Sequence, residues 1–509
     1  MQHFTNLINL ASARLGAAAL AANDEFFAPK DNLIKPEPPV FIADRYTDRG
    51  KWMDGWETRR RRTPGHDWCI VKLGLAGVIR SIVVDTSFFR GNYPSHCSLD
   101  ACGVPDGTSV ADLTDGPTVW HPILAQSELR GDAENTLTID DARRFTHVRL
   151  NIYPDGGVAR LRVLGDALPD WTRVLAHSSD IDLASVANGA HVVDTSDRFF
   201  GEPANMLMPY PAAHMGDGWE TRRRRGPGHD WSVVHLGIEG AIHRLEIATT
   251  HFKGNYPESC SVESSVVHDV RGGVSADSST VRAHWSAALP RTPLQPDAVH
   301  VFDQAAIAHG LSATHVRLNI FPDGGISRFR VLGAPTPGAR RAAVLHVVNA
   351  MDEPEVRATL ANFLGAPAWI DRMARARPFR SAQEVFSASD REASALGRED
   401  WLEAFRHHPR LGERAAERAQ SETASGWSTR EQAGVHGAAD ADVAALAEAN
   451  REYERRFGHV FITCASGKSA GAMLAELRGR LSNDPATERE TAAAEQRKIT
   501  RLRWEQVLG

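Results

Sequence analysis

Two carboxylates, each followed at once by a run of guanidinium groups, are the first candidates for chemistry in this chain. Glu57 leads Thr58 into Arg59, Arg60, Arg61 and Arg62, and Glu220 leads Thr221 into Arg222, Arg223, Arg224 and Arg225. Arginine is the side chain best suited to hold a carboxylate bidentately. If the run is a strand, alternate side chains face opposite ways, so Arg59 shares a face with Arg61 and Arg60 with Arg62. The plain alternative is a solvated basic edge. A Pro-Gly turn then delivers His66-Asp67 in the first copy and His229-Asp230 in the second. Such a pair can act as acid and base, ligate a metal, or simply hydrogen-bond a loop. No HxxxH or HxH pair supports a zinc site.

A second cluster lies far downstream, in Phe405-Arg406-His407-His408-Pro409-Arg410-Leu411-Gly412. Proline disfavours helical geometry at the residue before it, so His408 is expected at a helix end or in a turn, where its ring can face a cleft. Further on, Ser428-Thr429-Arg430-Glu431-Gln432 places Ser three before Glu, which is the capping box of a helix start. Gly467-Lys468-Ser469 looks like the end of a phosphate loop. The glycine that loop requires five residues earlier is Ile462, so nucleotide binding is set aside.

The elements that position these groups are legible in the patterning. Asp54 to Trp68 and Asp217 to Trp231 are identical except at Thr63 and Gly226, and GNYP words at Gly91 and Gly254 and HVRLNI words at His147 and His315 follow in the same order. Two copies of one module therefore fill the first two-thirds of the chain. Cores exchange Val, Ile and Leu freely, whereas these words are polar and Gly-rich, which burial alone does not demand. Short apolar runs at Cys69–Leu73, Ser81–Asp85, Val148–Ile152 and Arg160–Leu164, bounded by Gly, Pro, Asn and Asp, predict a β-sandwich of jelly-roll type in each copy. Pro154-Asp155-Gly156-Gly157 and Pro322-Asp323-Gly324-Gly325 are predicted turns between strands.

After Gly333, Ala334 to Gly338 reads as a linker, and the rest is rich in Ala, Glu, Arg and Leu at helical spacing. Glu355–Leu364, Asp440–Phe457, Ala470–Leu481 and Glu488–Leu508 are predicted helices. The fold class is thus multidomain: sandwiches at 15–170 and 185–335, and an all-α domain at 339–509. A net charge of −6 gives no reason to expect nucleic acid or an anionic membrane as partner. Five cysteines form no disulfide framework, and Cys97 and Cys260 fall at equivalent positions as small buried residues. A reduced, cytoplasmic setting follows, with neither a secretion signal nor an apolar run that would span a membrane.

The paired GWETRRRR-x-PGHDW, GNYP and HVRLNI-[YF]-PDGG words resemble allantoicase, a two-repeat jelly-roll family that hydrolyses allantoate to (S)-ureidoglycolate and urea. The resemblance implies a lining of Arg clamps, here Arg59 and Arg222, with Asn151 and Asn319 among the hydrogen-bonding partners. It also implies Glu57, Glu220, His66 and His229 as candidates for proton transfer, and leaves a divalent metal open for this half. The helical words, with Tyr453-x3-Phe457-Gly458 and Phe461-Ile462-Thr463-Cys464-Ala465, resemble the decarboxylase of 2-oxo-4-hydroxy-4-carboxy-5-ureidoimidazoline (OHCU), an all-α family that makes (S)-allantoin. By that resemblance His408 and Glu431 are catalytic. Pro409, Ser428, Thr429, Arg430, Gln432, Phe461 to Ala465 (Ile462, Thr463 and Cys464 included) and Arg503 bind substrate, with no cofactor. Arg501 competes with Arg503 for the last role. The resemblances together imply a bifunctional enzyme of urate breakdown, a homo-oligomer, working beside a separate allantoinase. A sandwich half that only binds ligand or serves assembly is the alternative.

Overall fold

The computed structural model describes residues 7–178, 180–267, 284–406, 408 and 440–509, with backbone alone over 440–444. Two compact units divide the chain: Met1–Pro169 with Asp180–Ala339, and Asp170–Ser179 with Arg340–Gly509.

Each repeat in the first unit is organised by one long strand, Asp67–Asp85 or Asp230–Ala248. The sequence predicts two short strands here, and they are continuous. The first half of Asp67–Asp85 pairs with Arg144–Tyr153 and Ala18–Ala22, and the second half with Arg160–Ala167 and Glu134–Thr138, all antiparallel. One strand thereby contributes to both layers of the jelly roll, as corner strands do. Glycine permits the close approach at its middle. A Cβ on Gly74 would lie 2.6 Å from the Leu15 carbonyl oxygen, and one on Gly237 would lie 1.9 Å from that of Asn188.

Alternation along the strands sorts the two faces. Val71, Leu73, Leu99, Val148, Leu150 and Ile152 enter the first repeat's core, each contributing about 1.5–3 kcal/mol by burial. The intervening His147, Arg149, Asn151 and Tyr153 turn to the opposite face. Cys97 and Cys260 are fully buried, and burial pushes both thiols up to about 12.

The arginine run departs from the sequence expectation. Only Trp56–Glu57 and Trp219–Glu220 are strand. Beyond them, backbone N–H groups are taken by side chains instead of by a neighbouring strand. Arg59 N–H donates to Asp24 Oδ1 and Arg61 N–H to Asp155 Oδ2, while Arg222 and Arg224 donate likewise to Asp197 and Asp323. The simple alternation of faces therefore does not apply.

The linker is also absorbed. Strand Arg328–Pro335 runs up to Thr336, whose Oγ1 accepts from Ala339 N–H as helix Pro337–Ala350 begins. Proline suits a first helical position because the N–H it lacks has no intrahelical partner there.

In the helical unit, the predicted helices appear as Glu353–Ala361, Asp440–Phe457, Ala470–Arg480 and Pro485–Leu508. Ser469 and Asp484 cap the last two. Trp171–His177, from between the repeats, belongs to this unit and packs on Pro485–Leu508. Among the described residues no helix is long and apolar enough to cross a membrane.

Candidate active sites

Three repeated words converge at one end of each sandwich. In the first repeat Glu57 pairs with Gly157, Thr58 N–H donates to Gly156 O at 3.1 Å, and Gly157 N–H donates to Asn92 O at 2.8 Å. Gly156 has φ +145°, and a Cβ there would lie 2.6 Å from Pro94 N, so the PDGG turn needs glycine to lie against the GNYP word. The result brings Asn92 Nδ2 within 2.7 Å of Glu57 Oε1, and in the second repeat Asn255 Nδ2 within 2.6 Å of Glu220 Oε1.

Each pair lines a cavity, of about 470 Å³ in the first repeat and about 560 Å³ in the second. Four lining positions are equivalent: Phe27 and Phe200, Glu57 and Glu220, Gly91 and Gly254, Asn92 and Asn255. Burial raises the Glu57 carboxyl above its ordinary range, opposed by the Asn92 hydrogen bond. A carboxyl held up in this way keeps its proton more readily and can donate it as a general acid.

Other sequence candidates lie beside these cavities and not in their lining. Arg59 Nε donates to Asp24 Oδ2 at 2.6 Å and its guanidinium lies over Phe26, while Arg222 does the same with Asp197 and Phe199. Arg61 and Arg224 are ion-paired to Asp67 and Asp230. His66 packs on Tyr153 at 4.7 Å between ring centroids, and His229 on Phe321 at 4.6 Å. Asn151 is buried and donates to Ser98 and Asp100, as Asn319 does to Ser261 and Glu263. Of the sequence candidates in this half, the two glutamates reach both cavities, and from the arginine runs Arg223 alone lines one, in the second repeat. Asn92 and Asn255 were missed as site residues, although their GNYP words recur verbatim.

The geometry also bears on metal binding. The Asp67 carboxylate accepts from Arg61 and Asn23, both through Oδ1. Among the described residues no group of three or more His, Cys, Asp or Glu side chains is arranged to hold an ion. His191 stacks on His235 at 4.9 Å, His315 meets His235 edge to face at 4.8 Å, and burial pushes His235 down to about 3 and His315 to about 4. Their rings are thus kept neutral.

In the helical unit, His408 sits two residues past the end of helix Arg398–Arg406, and its N–H donates to Phe405 O at 3.2 Å. From Phe405 a chain of rings runs through His459 (4.8 Å) and Tyr453 (5.6 Å) to Phe461 (5.3 Å). That chain ties the His408 turn to the 461–465 stretch.

A buried polar network fixes the stretch itself. Arg480 donates to Ile462 O at 2.9 Å, Glu495 accepts from Cys464 N–H at 2.9 Å, and Thr463 bonds Glu476 at 3.1 Å. Lys468 serves this network too, reaching Thr463 at 2.7 Å and Glu476 at 2.6 Å. Arg503 is buried and donates to Asn362 O, whereas Arg501 lies in exposed ion pairs with Glu505 and Asp390. Pro409, Ser428, Thr429, Arg430, Glu431 and Gln432 lie outside the described residues.

Comparison with known proteins agrees with this partition. The allantoicase repeat model matches residues 8–168 and 181–336. The chain belongs to the allantoicase family. It is 48% identical over 326 residues to a probable allantoicase 2 of Burkholderia pseudomallei, covering 64% of this chain and 94% of that one. A probable allantoicase of Photobacterium profundum is 46% identical, covering 65% and 97%. The crystal structure of allantoicase from Saccharomyces cerevisiae superposes with TM-score 0.54 at 34% identity, covering 64% and 93%. The OHCU decarboxylase model matches residues 349–505, so a second enzyme family follows the allantoicase repeats in one chain.

Proposed function

We propose that the Glu–Asn pair where the three repeated words meet carries the proton transfers of allantoate hydrolysis. The two families give the chain its reactions: allantoate to (S)-ureidoglycolate and urea, and OHCU to (S)-allantoin. In the first, a C–N bond to one ureido group breaks, the departing nitrogen gains a proton, and water oxygen joins the carbon and loses one. A single carboxyl that protonates the leaving nitrogen and recovers its proton from water closes that balance. Asn92 holds Oε1 of Glu57, leaving Oε2 for this exchange. Glu220 with Asn255 repeats the arrangement.

The observation that carries the reading is this Glu–Asn contact, made twice by equivalent words in equivalent cavities. Arg59 and Arg222, each held through Nε, keep their terminal nitrogens for an anion. His66 and His229 pack on Tyr153 and Phe321, the residues that lead into the PDGG turns, and Asn151 and Asn319 lie on the same strands. Glu57→Gln and Glu220→Gln in one chain should eliminate urea release and leave (S)-allantoin formation intact. Full urea release by that double variant would sink the reading.

For the decarboxylase, loss of CO₂ leaves electron density that the substrate's own imidazolone accepts, so the reaction as drawn calls on no cofactor. By the family resemblance His408 and Glu431 deliver the proton to carbon from one face, and Ser428 to Gln432 bind the anion. Phe461 to Ala465 and Arg503 bind the rest of the substrate. (S)-Allantoin and allantoate differ by one ring-opening hydrolysis, which falls to a separate allantoinase. A homo-oligomer in the cytoplasm completes the reading.

A further inference from the structure

The two sandwich cavities are built from the same words yet differ in cover and in charge. Equivalent contacts fix where the difference begins. Val40 N–H donates to Asp54, and Ala213 N–H donates to Asp217 in the same way. Between these anchors the first repeat has Phe41 to Met53, and the second only His214, Met215 and Gly216. The insertion forms a hairpin, Tyr46–Thr47 against Gly50–Lys51, and supplies Phe41, Gly50, Lys51 and Met53 to the first cavity. His214, Met215 and Gly216 contribute nothing to the lining of the second cavity.

Charge follows the same division. The first cavity holds Lys51, Arg90 and Glu57, with Arg90 ion-paired to Asp132. Lys51 Nζ lies 4.6 Å from the centre of the Phe41 ring and, among the described residues, has no carboxylate partner. The second cavity holds Arg223 against Glu220, Glu258 and Asp323, with Glu258 ion-paired to Arg291. Arg223, like Lys51, has no carboxylate partner among the described residues, but it faces three carboxylates, whereas the first cavity sets two cations against one, so an anionic substrate meets the more favourable field in the first.

Resting on the Glu–Asn reading above, we propose that allantoate binds in the first repeat alone, with Lys51 as the anchor of its carboxylate and the hairpin as its cover. The aromatic ring beneath Lys51 holds the ammonium without neutralising it, so its charge stays available to the ligand. Glu57 lines the same cavity, and the ureido groups are assigned to it.

Lys51 is exposed, so its replacement does not threaten the fold. Lys51→Met should raise KM for allantoate about tenfold while kcat stays within about twofold, and Lys51→Arg should recover most of that loss. An unchanged KM in Lys51→Met would overturn the anchor. Stoichiometry tests the rest: the Glu57→Gln, Glu220→Gln chain, titrated calorimetrically with allantoate, should bind one molecule per chain, and two would overturn the asymmetry. Failure of the Glu–Asn reading shows separately, as urea release by that double variant.

Discussion

Removing the Asn92 amide should move the alkaline limb of the allantoicase pH profile upward. Asn92 Nδ2 donates to Glu57 Oε1 at 2.7 Å, a contact that stabilises the ionised carboxyl and opposes the upward push of burial. Hydrogen bonds to charged groups are worth about 1.5–3 kcal/mol, and one pKa unit corresponds to about 1.4 kcal/mol. Asn92 is exposed, and solvent screening argues for the low end, so Asn92→Ala should raise the Glu57 pKa by about one unit. The sign follows from the role. A carboxyl that must begin protonated to protonate the leaving nitrogen keeps activity to higher pH when its pKa rises. The assay is kcat/KM for urea release from pH 5 to 10, whose alkaline limb reports the free enzyme's essential acid. The position of the limb is the readout, since overall activity also falls with any change to the cavity. A limb that stayed in place or moved to lower pH would refute Glu57 as the proton donor.

Two predictions concern the decarboxylase. His408→Asn keeps size and hydrogen bonding but removes a titrating proton, so formation of (S)-allantoin, followed by circular dichroism, should disappear while urea release continues; His407→Asn should change little. Arg480→Met breaks a buried ion pair with Glu488 and frees Ile462 O, which should cost about 3–5 kcal/mol and lower the unfolding midpoint of the helical unit by on the order of 10 °C. Replacing Glu488 by Leu in the same chain should recover part of that loss, whereas a single variant as stable as the parent would show that the pair does not fix the 461–465 stretch.

How much of this was legible in the sequence depends on which signals are local. The strands, the helices and the two-module layout came through because alternation, helical spacing and verbatim repetition are local. The continuity of Asp67–Asp85 did not, because Gly74 and Gly77 read as a break, whereas they permit backbone to approach backbone at a bend. The glutamates line the cavities, whereas Arg59 and Arg222 lie beside them. A run of four suggests a binding surface, and only the partners, Asp67 within the same repeated word and the distant Asp24 and Asp155, reveal that the first and third arginines are tied down. No spacing rule within the GWET word points to those partners, nor to Asn92, thirty-five residues beyond Glu57. The asymmetry between the repeats was hidden for the opposite reason: attention to what the copies share passes over Phe41 to Met53, which they do not. Identical words therefore build one proton-transfer pair twice, and the segment outside those words adds Lys51 to one of the two cavities and nothing to the other.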